Sequence, residues 1–322
     1  VSREAAKWAW ALRSRGWQVT TVAGEGPVDR LVPGLAMDAT GQVSVDEVRA
    51  ALADADVVVV ENLCSLPLNP RAAEVVAAVL RGRPAVLRHH DLPWQRDRFA
   101  GWPGPPDDPA WAHVTINRLS EGQLADRGVR AVTMYNAFDT DASDSDVLPH
   151  LRPFSDRLLV LHPTRAIPRK NVPAALRLAE GLGAVYWLTG PAEEGYGTEL
   201  ASLLAAAAVP VVRDAVDDMA AAYRLADVVA FPSTNEGFGN PVIESAVYRR
   251  PLAVTWYPVL DELRAFGFRW LDVDDVDGVR TFLRSPDQAM LEANFAIADR
   301  HFSLRALPDR LAALFEAQGW AV

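Results

Sequence analysis

Strand-length apolar runs alternate with helix-patterned segments along the whole of this chain, and that alternation limits its possible folds more than any other feature. In the first half the patterns predict strands near residues 17–22, 56–61, 85–89, 113–116 and 131–134. Helices are expected near 2–15, 45–53, 71–80 and 120–126. In the second half strands are expected near 158–162, 185–188, 209–212, 228–231 and 252–254, with helices near 173–181, 198–207, 217–225 and 241–248. Such alternation packs as a parallel sheet with crossover helices. The acidic stretch from Asp139 to Asp146 interrupts it, so the chain reads as two Rossmann-like α/β domains joined near 140–156. Residues 1–150 form the first, 151–302 the second, and 303–322 a final helix. A Rossmann-like domain needs a strand before its first helix. This chain opens at Val1 directly into a helical pattern, so its first strand is expected to be missing.

Composition narrows the partners. Half of the 322 residues are hydrophobic, and no apolar run approaches the roughly 18–20 residues that span a bilayer. One cysteine, Cys64, leaves no disulfide framework and no cysteine metal site. The net charge of −10 argues against nucleic acid and anionic membrane. A cytoplasmic protein acting on a water-soluble partner is expected; the sequence does not reveal the oligomeric state.

The densest chemistry lies in Glu236-Gly237-Phe238-Gly239-Asn240-Pro241-Val242-Ile243-Glu244. The apolar run 226–231 and Pro232-Ser233 precede it, and a short helix follows, with Pro241 suited to its first turn. A strand, tight loop and helix in this order aim backbone N–H groups and the positive helix end above the strand. Gly237 and Gly239 lack a Cβ and admit a ligand close to the backbone. Glu236 would face that ligand from the loop, and Glu244 would accept hydrogen bonds from a second part of it. A ligand with hydroxyls to bind and negative charge to neutralise fits: a nucleotide sugar. Gly-x-Gly before a helix is common, however, and surface glutamates are commoner.

Arg165 and Lys170 decide between these readings. They follow the apolar strand 158–162, and Asn171, a good N-cap, and Pro173 open the next helix. Of 32 basic residues only Lys7 and Lys170 are lysines, and one of them stands in this loop. Arginine suits bidentate phosphate contacts and lysine is a compact point charge. Arg169 is expected to point to solvent. Arg165, Gly190, Ser233 and Glu236 all follow strands of the second domain, and ligands of such sheets bind at the carboxyl ends of the strands.

Together these residues resemble the retaining glycosyltransferases of the GT-B fold, family 4. The match rests on Arg165 and Lys170, on Phe231-Pro232-Ser233, and on Glu236 and Glu244 with seven residues between them. Weaker similarity lies in Tyr135-Asn136-Ala137-Phe138-Asp139 and in His89-His90-Asp91. The resemblance implies two parallel sheets facing a central cleft, with residues 303–318 crossing back to the first domain. It implies transfer of a hexose from a nucleoside diphosphate sugar to a hydroxyl, an EC 2.4-type reaction with no cofactor and no metal. Arg165, Lys170, Glu236 and His90 would be catalytic. Gly190, Ser233, Gly237, Phe238, Gly239, Asn240 and Glu244 would bind the donor, with Glu244 on the ribose and the segment after Gly190 near the base. The family's first strand ends in a glycine-rich loop, which is expected to be missing here together with that strand. Two alternatives stay open: a nucleotide-sugar-binding module without turnover, and a GT-B phosphorylase or epimerase.

Other features carry less. His90 either meets the donor sugar or acceptor hydroxyl or packs locally, while His89 is expected to point into the fold. Trp94 and Trp102 either stack on an acceptor sugar or simply pack. Gly24-Glu25-Gly26 lacks the following helix of a dinucleotide fingerprint and reads as a turn. Asp139-Thr140-Asp141 and Asp272-Val273-Asp274 resemble a metal motif but sit in acidic, loop-like runs.

Overall fold

A computed structural model describes residues 2–39, 43–141, 156–213 and 218–320. They form two compact units, Val1–Ala137 with Arg305–Val322, and Phe138–Leu304. The expected acidic linker falls largely on residues 142–155, and the expected helix start at 217 falls on residues 214–217; both lie outside the described residues.

The first unit runs α1 (Ser2–Ser14), β1 (Val22–Ala23), β2 (Arg30–Leu31), α2 (Val45–Ala51), β3 (Val58–Glu61), α3 (Pro70–Leu80), β4 (Ala85–His89), β5 (Trp111–Thr115), α4 (Arg118–Ala125) and β6 (Ala131–Thr133). Strands β3 to β6 are neighbours in chain order and all pair in parallel. Every residue of β4 and β5 is buried, as in a parallel sheet covered on both faces. Helix starts follow local chemistry. Ser44, Asn69 and Asn117 accept from the backbone N–H of Glu47, Ala72 and Ser120 at 3.3, 3.1 and 2.6 Å.

One expected strand is corrected. Residues 17–21 form no strand, and only Val22–Ala23 pairs, with Arg30–Leu31, in a separate two-stranded sheet. Asp29 holds this short ribbon closed, accepting from both the backbone N–H and the hydroxyl of Thr21 at 2.7 Å. Val22 still packs against the core that holds Val60 of β3, while Leu31 on the partner strand is exposed.

The second unit runs β7 (Leu159–His162), α5 (Val172–Leu182), β8 (Val185–Leu188), α6 (Gly197–Ala205), β9 (Val211–Arg213), α7 (Met219–Leu225), β10 (Val228–Phe231), α8 (Asn240–Val247), β11 (Leu252–Val254), α9 (Pro258–Ala265), β12 (Leu271–Asp272), α10 (Val276–Arg284) and α11 (Gln288–Phe302). Its parallel sheet has the order β12-β11-β10-β7-β8-β9. All residues of β7, β8, β10 and β11 are buried. Tyr186 and Leu188 of β8, Ala175 and Leu178 of α5 and Ala230 of β10 meet in one core. The pattern reading missed β12, α9, α10 and α11, and it took Asp272 for a loop residue although it ends β12. After α11 the chain rejoins the first unit as α12 (Leu307–Ala317), which packs on α1. The Trp17 ring stands edge-on to Phe315 at 5.2 Å.

Candidate functional site

Strands β7 and β10 are neighbours, yet the chain leaves them in opposite directions, toward β8 and toward β11. Open α/β sheets bind ligands outside the carboxyl ends of strands at such a switch. Here the segments after His162 and after Phe231 rise side by side. The Thr234 N–H donates to the Arg169 carbonyl at 3.0 Å. Arg169 Nη1 donates back to the Asn235 carbonyl at 2.8 Å. On the other flank the Ala166 N–H donates to Pro191 O at 2.8 Å, and the Glu193 N–H to Ala166 O at 3.1 Å.

At the centre Lys170 Nζ donates to Glu236 Oε1, with each side chain only 10% exposed. The ammonium also lies 5.3 Å from the centroid of the Phe231 ring. Burial lowers the Lys170 pKa, and the Glu236 charge and hydrogen bond work against that shift. Arg169 was expected in solvent; instead its Nη1 stands 3.4 Å from Glu236 Oε2. A carboxylate this buried gains from a second cation. Asn171 occupies the cap position of α5, but its backbone is left-handed at φ 52°, and its side chain makes no capping bond. Arg165 is half exposed and pairs with Glu193 at 2.6 Å, not with Glu236.

The glycines have packing reasons of their own. A Cβ on Gly190 would stand 2.3 Å from Thr164 O, so the end of β8 approaches the loop after β7 only through glycine. Gly239 precedes α8 at φ 91°, and a Cβ there would meet Tyr257 Oη at 2.1 Å. The Phe238 ring is buried, 6.4 Å from Phe138 and 5.9 Å from Phe302, so only its backbone is available to a ligand. With Asn240 and Pro241 in its first turn, α8 directs its positive end to the switch point. Ser233 is fully buried, and among the described residues its hydroxyl has no partner. Glu244 accepts from the Tyr223 hydroxyl at 2.6 Å. Burial, reinforced by the Glu244 charge, pushes the Tyr223 hydroxyl far above its usual range. Nothing in the local pattern of α7 marks Tyr223 as a site residue.

His90 lies in the first unit, just beyond β4. Its Nε2 is 2.7 Å from Glu61 Oε2, at the end of β3. Sequence reading saw Glu61 only as a strand end. His89 points into the fold, in a buried chain from Ser65 Oγ (2.6 Å) to His113 (2.9 Å), which reaches Asp107 at 3.0 Å. Trp94 donates to Gln123 Oε1 at 2.9 Å under the Arg127 guanidinium, whereas Trp102 is exposed. Gly24 and Gly26 lie in the connection between β1 and β2. In both acidic pairs the first carboxylate turns its own loop: Asp139 accepts from the Asp141 N–H at 3.0 Å and Asp272 from the Asp274 N–H at 2.9 Å.

Known proteins resemble this chain in sequence and in fold. Residues 169–267, from Arg169 to just past α9, match the family Glycosyl transferases group 1. A mannosylglucosylglycerate synthase from Thermotoga maritima is 25% identical, over 81% of this chain and 76% of that protein. The crystal structure of Anabaena Alr3699/HepE in complex with UDP-glucose superposes with a TM-score of 0.68 at 18% identity, over 85% of this chain and 82% of that one. A glycosyltransferase from Rickettsia africae superposes with a TM-score of 0.73 at 13% identity, over 98% and 94%. The fold is GT-B.

Proposed function

We propose that this glycosyltransferase moves a hexose from a nucleoside diphosphate sugar to a hydroxyl of a water-soluble acceptor, with retention at the anomeric carbon and without a metal. The observation that carries the reading is the buried Lys170–Glu236 pair, held where β7 and β10 diverge. A cation and a hydrogen-bonding carboxylate side by side suit the junction between a diphosphate and a sugar. Lys170 and Arg165, with the positive end of α8, would stabilise charge on the departing diphosphate as preorganised electrostatics. Arg165 would exchange Glu193 for phosphate on binding. Glu236 and the backbone of 237–239 would hold the sugar hydroxyls, Glu244 the ribose, and the segment after Gly190 the base. The unmet Ser233 hydroxyl fits a ligand contact in the same place. His90 would meet the transferred sugar or the acceptor hydroxyl.

The Thermotoga maritima relative makes mannose the first sugar to test and a glycerate-bearing glucoside the first acceptor. The HepE complex adds UDP-glucose as the second donor. Purified protein incubated with each donor and acceptor, with and without chelator, should yield a product bearing the donor's anomeric configuration by proton NMR. An inverted product contradicts retention, and loss of turnover in chelator contradicts metal independence.

A further inference from the structure

The first unit holds a buried charge cluster to which the proposed reaction assigns no part. Arg88 of β4 is fully buried. Its Nη1 donates to Glu61 Oε1 and its Nη2 to Asn136 Oδ1, each at 3.0 Å. Glu4 Oε2 stands 3.5 Å from Nη2, and the Trp8 ring centroid lies 4.5 Å from the guanidinium carbon. Glu4 itself is paired with Lys7 at 2.6 Å. The second oxygen of Glu61 is 2.7 Å from His90 Nε2.

This arrangement dictates where the His90 proton sits. Burial alone would raise the Glu61 carboxyl, but the His90 hydrogen bond and the Arg88 charge outweigh it and hold Glu61 below the usual carboxylate range. An ionised carboxylate only accepts hydrogen bonds, so His90 Nε2 must donate. A neutral imidazole has one ring proton, which leaves Nδ1 as an acceptor. Among the described residues Nδ1 has no hydrogen-bond partner, while the His90 backbone N–H is held by Asn62 Oδ1 at 2.9 Å. Backbone and ring are thus each held by one bond, with one ring acceptor left over.

We propose that Glu61 is a positioning residue: bonded to Arg88 through one oxygen and to His90 through the other, it fixes His90 in the Nε2–H form and reserves Nδ1 to accept a hydrogen bond from a substrate hydroxyl. The proposal rests on the reading of His90 as a residue that meets substrate. It distinguishes a carboxylate from its nearest isostere. In Glu61→Gln the amide oxygen is claimed by Arg88, which has no acceptor of its own. The amide NH2 then faces His90 Nε2 and forces the ring proton onto Nδ1, which turns the free position from acceptor to donor.

The test is nitrogen-15 NMR of the histidine rings at pH 8, in wild type and Glu61→Gln, with His90→Ala assigning the resonance among the six histidines. Steady-state kinetics run alongside. Wild type should carry the proton on Nε2 and Glu61→Gln on Nδ1. The variant's kcat should fall about 100-fold, as when a positioned proton acceptor is lost. The loss should fall on kcat more than on donor KM, since Glu61 touches none of the residues read as holding the diphosphate, ribose or base. A wild-type His90 protonated on Nδ1 overturns the proposal, and needs no variant to fold. So does a Glu61→Gln enzyme whose tautomer flips with kcat unchanged. If His90→Ala retains full kcat, the reading of His90 fails instead, and the tautomer still decides whether Glu61 sets the proton.

Discussion

Lys170 and Glu236 stand 66 positions apart in the chain and meet as one buried ion pair at the point where the second unit's sheet changes direction. The loop after β7 supplies the cation, and the loop after β10 supplies the carboxylate. Neither side chain is buried for want of space outside, since both loops lie at the end of the sheet. The fold carries two desolvated charges there, an arrangement that ordinarily adds little net stability.

Breaking the pair from one side should therefore cost more than removing it. Lys170→Met leaves the Glu236 carboxylate with Arg169 at 3.4 Å as its remaining cation. A loss of about 3 kcal/mol is expected from a stranded buried charge. The double variant Lys170→Met/Glu236→Leu should recover part of that loss. Urea unfolding of both proteins checks the order, and a double variant less stable than the single one contradicts it.

Tyr223→Phe removes the 2.6 Å hydrogen bond to Glu244 and nothing else of size. A hydrogen bond to a charged group contributes about 1.5–3 kcal/mol. If Glu244 serves the ribose, the variant should weaken nucleoside diphosphate binding and leave the deoxyribose analogue less affected. Equal losses for both ligands would place the effect elsewhere.

Gly190→Ala and Gly239→Ala both insert a methyl where none fits. For Gly190 the obstacle is backbone, Thr164 O at 2.3 Å and Arg165 Cα at 2.7 Å, so the loop bearing Arg165 must move. Overpacking of this kind costs about 1–3 kcal/mol. A lowered Tm together with weaker nucleotide binding is expected. A protein as stable as wild type would contradict the close approach.

Acid should destabilise the protein through buried neutral histidines. His162 is fully buried, with Nδ1 2.8 Å from the Tyr186 hydroxyl. Burial and then the Lys170 charge lower its pKa from 6.5 to about 3. The folded value is the lower one, so the unfolded chain takes up the proton first. Stability contributed by the neutral ring is complete above 6.5 and falls as pH drops from there to about 3. The slope is about 1.4 kcal/mol per pH unit for one such group. His89, lowered well below its usual value mainly by burial, adds in the same direction. Urea midpoints between pH 7 and pH 4 should fall less steeply for His162→Gln than for wild type. Parallel slopes would contradict this account.

Most of the second unit was legible in the sequence because buried parallel strands are nearly continuous apolar runs. The expected strands 185–188, 228–231 and 252–254 match β8, β10 and β11 residue for residue. Arg165, Lys170, Gly190, Ser233 and Glu236 were legible for a related reason: each follows a strand that the pattern located. What pairs with them was not. Glu193 takes Arg165, Tyr223 takes Glu244, and Arg169 turns to Glu236, all through contacts between separate elements. The Glu61–Arg88–His90 arrangement escaped for the same reason, since β3 and β4 are brought together only by pairing of the sheet. Residues 17–21 misled because a strand-length stretch of β-favouring residues (Trp17, Val19, Thr20, Thr21) carries no mark of whether a partner strand awaits it.

The most direct measurement is calorimetric titration of the purified protein with UDP, GDP and ADP, repeated on Lys170→Ala and on Arg98→Ala, whose guanidinium lies 4.2 Å over the Phe99 ring in the first unit. A donor site at the divergence of β7 and β10 predicts selective binding of one nucleotide, lost in Lys170→Ala and kept in Arg98→Ala. Undiminished binding in Lys170→Ala would contradict the account at its centre.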